Sequence, residues 1–249
     1  MSSVSRTAVN VGEFAGKLVI VTGGASGIGA AIAREFARDG ARVVIIDLAL
    51  ERAEALASEI RGEAYAADAA QPAELAAVLA RIDAQEKGID VLVNNVGGGA
   101  RRTLEALTLP DWQDTLALNL TSAFVATQGV LGAMRRCGGG AIVNIASIAA
   151  HSVSPVGGAA YAASKAGLLA LTRQTAHEWA KYRIRANAVC PGPTRTDLTL
   201  TSARTDSEFP LGAWIHPEEI ANAVTFLASS RASMCTGAVL DVDGGVSLG

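Results

Sequence analysis

The chain has 249 residues, of which 50% are hydrophobic and 18% are charged, and its formal net charge is −3. This composition predicts a globular protein with a sizeable core, and the weak acidic balance argues against a nucleic-acid-binding surface, which would carry a basic stripe. Three widely spaced cysteines (Cys137, Cys190 and Cys235) form no CxxC pair, and no signal peptide is evident, so we expect a reducing cytoplasmic location without disulfides. No HExxH motif or local His/Asp/Glu cluster indicates a metal site, and no apolar run approaches the roughly 18 residues of a membrane span.

Along the chain, short β-branched runs alternate with longer alanine-rich helical patterns. Residues 1–12 are polar and aperiodic, and we interpret them as a flexible N-terminal extension. The strand runs are apolar on both faces, which is typical of a parallel sheet covered by helices. We therefore predict one α/β domain over 13–249, a doubly wound parallel sheet of the Rossmann type with about seven strands. The predicted strands are 17–22, 42–47, 63–67, 90–94, 141–146, 184–190 and 238–242, and the predicted helices lie near 27–39, 50–61, 72–87, 111–136, 160–182 and 217–229.

A glycine-rich turn, TGGASGIG at 22–29, follows the first predicted strand and opens a helical pattern. Such a turn lets the backbone approach a pyrophosphate, and the helix N-terminus offers free N–H groups and a positive dipole end. The position between a strand and a helix is the one that a dinucleotide site requires, although a flexible connecting turn is the alternative. The glycine spacing is G-x3-G-x-G and not the standard G-x-G-x-x-G.

The second predicted strand ends at Asp47. A carboxylate at this position can accept hydrogen bonds from both hydroxyls of an adenosine ribose, and its charge would repel a 2′-phosphate. No Arg or Lys lies at 48–50 or within the glycine turn. We therefore predict NAD as the cofactor and regard NADP as disfavoured; a strand-end Asp that only caps a loop is the alternative.

The stretch YAASK, 161–165, places a tyrosine and a lysine one turn apart on one face of a predicted helix. Taken alone, the pair is consistent with a Tyr anchor and a Lys that extends to solvent. Ser147, however, follows the strand 141–146 and therefore lies at the carboxyl edge of the sheet, where ligands bind. Asn119, among leucines in an earlier helix, is either a satisfied core amide or a fourth member of this group.

Oxidation of an alcohol with NAD requires a base for the hydroxyl proton. The pKa of a free tyrosine is about 10, so half-ionisation at neutral pH requires it to fall by about three, roughly 4 kcal/mol. One ammonium about 4 Å away contributes on the order of 4 kcal/mol at an effective dielectric constant near ~20. We therefore expect Lys165, together with the positive nicotinamide, to lower the pKa of Tyr161, and Ser147 to stabilise the substrate oxygen.

The chain resembles the short-chain dehydrogenase/reductase family from about Phe14 to Gly245. The matching motifs, in family order, are TGGASGIG (22–29), Asp68 after the third strand, NNVG (94–97), Asn119, Ser147, YAASK (161–165), PGPTRT (191–196), PEEIA (217–221) and VDGG (242–245). Two departures are the valine in NNVG, where the family usually has alanine, and a short polar segment near 197–210 that we interpret as a small substrate lid.

The resemblance implies that Tyr161 is the general acid/base, that Ser147 binds the substrate oxygen and that Asn119 holds a proton-relay water. It also implies that Lys165 binds the nicotinamide ribose and that 189–196 covers the nicotinamide. In the same way Asp68 is expected at the adenine, and Asn94 or Asn95 along the adenosine ribose. The full predicted cofactor-binding set is Gly23, Ser26, Gly27, Ile28, Gly29, Asp47, Asp68, Asn94, Asn95, Tyr161, Lys165, Pro191, Thr194 and Thr196.

The predicted function is interconversion of a secondary alcohol and a ketone, with a small-molecule substrate and no nucleic-acid or membrane partner. Asp47 and the net charge disfavour an NADPH-dependent 3-oxoacyl thioester or other carbonyl reductase, and the complete catalytic set disfavours a non-catalytic nucleotide-binding regulator. Family members are commonly tetramers built on the helices that here are 111–136 and 160–182, so we expect a homo-oligomer, a tetramer or a dimer. For His151 we favour a solvated loop residue over a substrate ligand, and for Arg101 and Arg102 a surface charge pair over binding of an acidic group.

Overall fold

A computed structural model describes residues 12–99, 101–197, 199 and 205–248. The predicted N-terminal extension falls almost entirely outside these residues, as does the central part of the predicted lid. Within the described residues the strands are β1 Leu18–Thr22, β2 Arg42–Asp47, β3 Glu63–Ala66, β4 Val91–Asn94, β5 Gly140–Ile145, β6 Ile184–Pro191 and β7 Val239–Val242. The α-helices are α1 Gly27–Arg38, α2 Leu50–Ile60, α3 Pro72–Gln85, α4 Leu109–Leu116, α5 Ser122–Arg136, α6 Gly158–Trp179 and α7 Pro217–Ala228.

The strands form a single seven-stranded sheet in the order β3-β2-β1-β4-β5-β6-β7. Every neighbouring pair is parallel, and in the centre Thr22 lies beside Asn94 and Asn94 beside Asn144. From β1, the strands β2 and β3 follow on one side of the sheet and β4 to β7 on the other, so the strand order reverses between β1 and β4. The predicted doubly wound parallel sheet is therefore confirmed.

Alternation along the strands divides the core into two layers. In β1, Val19 and Val21 point to the face covered by α1 and α7, where they pack with residues such as Phe36. Leu18 and Ile20 point to the other face and join the side chains of α3 and α5, among them Leu79. Both layers are apolar and buried, which explains why the central strands show no alternation between apolar and polar residues.

The predicted helix 111–136 is continuous in the structure but contains a π-helical turn, Ala117–Thr121, between α4 and α5. The start of α4 is fixed by a capping box, in which Thr108 and Asp111 bond to each other's backbone N–H groups. The run Leu109–Arg136 is long and apolar enough, by length and composition, to cross a membrane, with a mean hydropathy of 1.3. Its inner face packs against α3 and α6 and joins the core, so we describe it as a core helix.

Candidate active site

The carboxyl ends of the central strands open onto a cleft of about 310 Å³. Its walls come from Gly23 and Asn95, just after β1 and β4, from Asp47 at the end of β2, and from Thr196 after β6. This is the edge at which open α/β sheets bind their ligands, next to the point where the strand order reverses. A larger cavity of about 700 Å³ lies at the opposite edge, around the amino-terminal ends of β4 and β6, and all four predicted catalytic residues lie outside it. The four predicted catalytic residues also lie outside the lining of the smaller cleft, but Gly97, which lines it, lies beside Lys165 and Asn119. We therefore take the smaller cleft as the candidate cofactor site.

The glycine loop has the backbone form that a close approach to phosphate requires. Gly23 and Gly27 have φ values of 63° and 52°, a region that side chains rarely adopt. At Gly29 a Cβ atom would lie 2.1 Å from the Gly23 carbonyl oxygen, so only glycine lets α1 start this close to the loop. Ser26, the residue before α1, is extended and its side chain makes no capping hydrogen bond, which leaves the first N–H groups of the helix for a ligand.

Two carboxylates lie at the far end of this cleft. Asp47 accepts hydrogen bonds from the backbone N–H groups of Ala25, at 3.0 Å, and Ala49, at 2.9 Å. Asp68 also lines the cleft and accepts one from Ala70 at 2.9 Å. The side chain of Asp47 therefore joins the glycine loop to the start of the segment after β2, and its carboxylate is held at the cleft wall.

The two asparagines at the end of β4 point in opposite directions. Asn95 donates from Nδ2 to the Gly23 carbonyl oxygen at 2.8 Å and lines the cleft. Asn94 is buried and donates instead to Thr127 and, at 2.8 Å, to Asn144. Successive side chains at the end of a strand alternate between faces, so the Asn94 side chain lies in the core and only that of Asn95 reaches the cleft. Participation of Asn94 in cofactor binding stays a prediction, and it would have to come from its main chain.

Ser147, Tyr161 and Lys165 converge just beyond the end of β5. Ser147 begins a short 3₁₀ turn, Ile148–Ala150, and accepts a hydrogen bond from the Ala149 N–H at 3.2 Å. Its side chain also lies close enough to the Tyr161 phenol to lower the pKa of that group in part. Lys165 is 2% exposed, donates to the Ile145 carbonyl oxygen at 2.8 Å, and places Nζ 5.7 Å from the centroid of the Tyr161 ring.

Asn119 lies in the π-helical turn and is fully buried. Its Nδ2 donates to the carbonyl oxygens of Gly98, at 2.6 Å, and Thr115, at 2.8 Å, while its Oδ1 accepts from the Gly98 N–H at 3.0 Å. A π-helical turn is a frequent feature of functional sites. Here the Asn119 side chain ties the segment after β4 to the helix, and only the second lone pair of Oδ1 is left for a further donor.

Gly97 is a site residue that the sequence analysis did not single out. A Cβ atom there would lie 2.9 Å from both Lys165 Nζ and Asn119 Oδ1. The glycine therefore lets the segment after β4 pass between two functional side chains. Its place in the NNVG motif was the available signal, but the reason for glycine depends on the contact with α6.

The pKa values in this site differ from expectation. Burial lowers the pKa of the Lys165 ammonium to about 8. Burial raises the pKa of Tyr161, and the hydrogen bond from Ser147 only partly opposes this. The expected lowering of the Tyr161 pKa by Lys165 is therefore not seen in the protein alone. The physical reason is that desolvation of the phenolate dominates, while the Lys165 ammonium donates its hydrogen bond to the Ile145 carbonyl oxygen.

The segment after β6 reaches back over the glycine loop. Thr194 is buried and pairs with Ile215 in an isolated parallel bridge, and Thr196 places its methyl group 3.3 Å from where a Gly27 Cβ would be. The Thr196 N–H donates to Thr199 Oγ1 at 2.8 Å, which fixes the turn. Pro191 ends β6 at the start of this segment. The segment is thus positioned to cover the cleft.

Of the lesser candidates, Arg102 forms an ion pair with Asp111 at 2.9 Å, and Arg101 is exposed with φ 50°. His151 is exposed as predicted, but its Nε2 lies 3.3 Å from Asp241 Oδ2 on β7. Neither arginine lines the cleft.

Comparison with known proteins gives matches over nearly the whole chain. A family profile described as enoyl-(acyl carrier protein) reductase matches residues 23–247. D-threitol dehydrogenase of Mycolicibacterium smegmatis is 41% identical over 244 residues, 94% of this chain and 94% of the relative. A 3-oxoacyl-(acyl-carrier-protein) reductase of Aquifex aeolicus is 36% identical over 242 residues, 93% of this chain and 97% of the relative. A structure described as a candidate NAD(P)-dependent gluconate 5-dehydrogenase of Beutenbergia cavernae, with NADP bound at low occupancy, superposes with a TM-score of 0.87 at 38% identity, covering 94% of this chain and 98% of that one.

Proposed function

The chain belongs to the short-chain dehydrogenase/reductase family, an oxidoreductase of alcohols and ketones, and we propose that it is an NAD(H)-dependent dehydrogenase for a secondary alcohol. The observation that carries the proposal is the convergence of Ser147, Tyr161 and Lys165 beside the glycine-loop cleft. A phenol, an ammonium and a hydroxyl at one point can exchange a proton with a substrate and hold its oxygen.

The residues of the cleft fit a dinucleotide. Gly23 and Gly27 keep side chains away from the phosphate position, and the uncapped start of α1 supplies N–H donors. Asp47 would accept hydrogen bonds from the adenosine ribose hydroxyls, and Lys165 would bind the nicotinamide ribose. When bound, the nicotinamide would supply the hydride acceptor and, in its oxidised form, a positive charge.

Tyr161 would act as the proton donor and acceptor, with Ser147 holding the substrate oxygen. Because its pKa is raised in the protein alone, Tyr161 carries its proton at neutral pH and is ready to protonate a ketone oxygen as it is reduced. In the oxidising direction the phenolate must be stabilised, and Lys165 is the nearby ammonium that can contribute. The free lone pair of Asn119 Oδ1 would accept a hydrogen bond from a relay water.

The preference for NAD over NADP rests on Asp47. Its carboxylate is held at the cleft wall by two backbone N–H groups, and among the described lining residues of the cleft there is no Lys or Arg. A 2′-phosphate would bring further negative charge beside Asp47 and Asp68 without a cation to receive it. The NADP in the Beutenbergia structure belongs to that protein, so this preference needs its own test.

A biosynthetic 3-oxoacyl thioester reductase is the alternative within enzymes, supported by the Aquifex relative. That role usually requires NADPH and a basic face for an acidic carrier, and Asp47 and the net charge of −3 count against it. The threitol dehydrogenase likeness makes small polyols the first substrates to test.

We also propose a homo-oligomer in the cytoplasm. Outward positions of α5 and α6 include a 47%-exposed Phe124 and the small residues Ala163, Ala166 and Ala170, a surface suited to helix packing between subunits. The proposed location rests on the three free cysteines, because disulfides are rare in a reducing compartment.

The test is turnover of NAD at 340 nm with a panel of alcohols: D-threitol and other polyols, sugars, steroids, aryl-alkyl alcohols and 3-hydroxyacyl thioesters. The proposal predicts reduction of NAD by at least one non-acyl alcohol. Activity confined to 3-oxoacyl thioesters with NADPH would establish the alternative instead.

A further inference from the structure

Three potential metal ligands from distant parts of the sequence meet beside the catalytic serine. His151 follows the 3₁₀ turn of Ser147, Cys190 lies near the end of β6, and Asp241 lies on β7 directly beside Cys190 in the sheet register. One ligand atom from each residue lies within 4.8 Å of the others, and His151 Nε2 is 3.3 Å from Asp241 Oδ2.

We propose that His151, Cys190 and Asp241 form a binding site for a divalent transition-metal ion of the Zn²⁺ class. In a tetrahedral site with Zn–N and Zn–O bonds of about 2.0–2.1 Å, a nitrogen and an oxygen ligand lie roughly 3.3–3.4 Å apart. The His151–Asp241 separation already has this value. The longer Zn–S bond of about 2.3 Å sets the sulfur roughly 3.5 Å from the other two ligand atoms, so Cys190 Sγ would move closer by at most about 1.3 Å.

The types of ligand atom determine which ions the site would bind. An imidazole, a thiolate and a carboxylate suit Zn²⁺ or Co²⁺, whereas Mg²⁺ and Ca²⁺ require oxygen ligands. On binding, the Cys190 thiol releases its proton to solvent and forms the sulfur–metal bond, and no group is oxidised or reduced. Thiolate and carboxylate then balance the charge of the ion, and a water completes the fourth position.

The environment is consistent with access for an ion. Cys190 is fully buried, while the side chains of His151 and Asp241 are 36% and 39% exposed, so an ion would enter from their side.

The site adjoins the catalytic group without using its side chains. The backbone N–H of Ser147 lies beside the Cys190 thiol. His151 lies four residues after Ser147 in the same segment. A bound ion would therefore link the segment 147–151 to β6 and β7. We expect it to stabilise the folded chain whether or not the proposed dehydrogenase activity is correct, because an ion that binds only the native state raises its stability.

Titration of the untagged, metal-free full-length chain with Co²⁺ tests the site directly. We expect one Co²⁺ per chain, with a thiolate-to-cobalt charge-transfer band and tetrahedral d–d bands that Zn²⁺ displaces. Cys190→Ser should abolish the charge-transfer band, and His151→Gln and Asp241→Asn should each weaken Co²⁺ binding by at least about tenfold, as loss of a ligand requires. The matched controls Cys137→Ser and His177→Gln, at exposed positions outside the cluster, should leave the titration unchanged.

Thermal unfolding provides a second measurement in case Cys190→Ser folds poorly. Zn²⁺ should raise the Tm of the wild-type chain and of both controls, but not that of His151→Gln or Asp241→Asn, whose changes lie at exposed positions. A wild-type chain with no charge-transfer band overturns the proposal. A band that persists in Cys190→Ser, or a Tm rise that survives in both exposed-ligand variants, overturns it equally.

Discussion

The ammonium of Lys165 donates a hydrogen bond to the main-chain carbonyl of Ile145, 2.8 Å away at the end of β5. This bond ties α6 to the strand that leads into Ser147, so the lysine fixes the relative positions of the proposed proton donor and the proposed substrate ligand. The ammonium is almost fully buried, and burial lowers its pKa to about 8. A cation in this environment destabilises the fold, which is consistent with a functional reason for its presence.

Lys165→Met should abolish turnover and raise the free energy of unfolding at neutral pH. The pKa of Lys165 is about 8 in the folded chain, below its ordinary value of 10.5, so the unfolded chain binds more protons between these pH values. The free energy of unfolding of the wild type should therefore rise with pH over this range because of Lys165, and the variant should lack this contribution. Denaturant unfolding of wild type and variant at pH 7 and pH 10 measures this contribution to the free energy of unfolding, and Lys181→Met, at an exposed position, is the control.

The expected result is a variant whose stability relative to wild type is greatest below pH 8 and falls toward pH 10.5, with turnover lost at every pH. If the relative stability of Lys165→Met were the same at pH 7 and pH 10, the buried ammonium would not have the effect described.

Asp47→Asn should relax the choice of cofactor. The amide keeps the shape of the side chain but removes the charge that opposes a 2′-phosphate, so the ratio of NADP to NAD affinity should rise on the order of tenfold. Calorimetric titration of both dinucleotides gives the ratio. Asp68→Asn is the matched control, since we expect Asp68 at the adenine end, where it would affect both dinucleotides alike. Tighter binding of NADP than NAD by the wild-type chain would show that Asp47 does not set the preference.

Gly97→Ala should impair catalysis with little effect on folding. The added methyl group would lie 2.9 Å from both Lys165 Nζ and Asn119 Oδ1 and would displace one or both. Displacement of a positioning group by about 1 Å can reduce rates by about 10²-fold, which is the loss of kcat/KM that we expect. Gly98→Ala is a close control, because its methyl group would meet only Leu118, at 3.4 Å. Equal activities of the two variants would argue against a tight fit at Gly97.

Phe124→Asp should shift the oligomer toward smaller species. Phe124 is 47% exposed on the outer face of α5, and a carboxylate buried between subunits would have no partner. Light scattering coupled to size-exclusion chromatography measures the mass, with Leu211→Asp as a control at an exposed apolar residue outside α5 and α6. A wild-type chain that is monomeric at micromolar concentration would remove the basis for this interface.

Local patterns were sufficient to predict the sheet, the helices and the glycine loop, because apolar runs and glycine positions directly constrain the backbone. The π-helical turn at Asn119 was not predictable, since one extra residue in a turn leaves the apolar pattern of 109–136 almost unchanged. The opposite directions of Asn94 and Asn95 depend on where β4 ends. The pKa of Tyr161 depends on burial by residues that are distant in sequence. The proximity of His151, Cys190 and Asp241 likewise depends on the tertiary fold.

The most direct test of the central claim is turnover by Tyr161→Phe with NAD and a substrate found in the alcohol panel. Phenylalanine keeps the ring but removes the hydroxyl that we propose as the proton donor and acceptor, so kcat should fall by about 10²–10⁴-fold, the usual contribution of a general acid or base. NAD affinity and thermal unfolding should stay close to those of the wild type, and Tyr182→Phe should retain full activity. A Tyr161→Phe enzyme that turns over at the wild-type rate would contradict the proposed proton transfer through Tyr161.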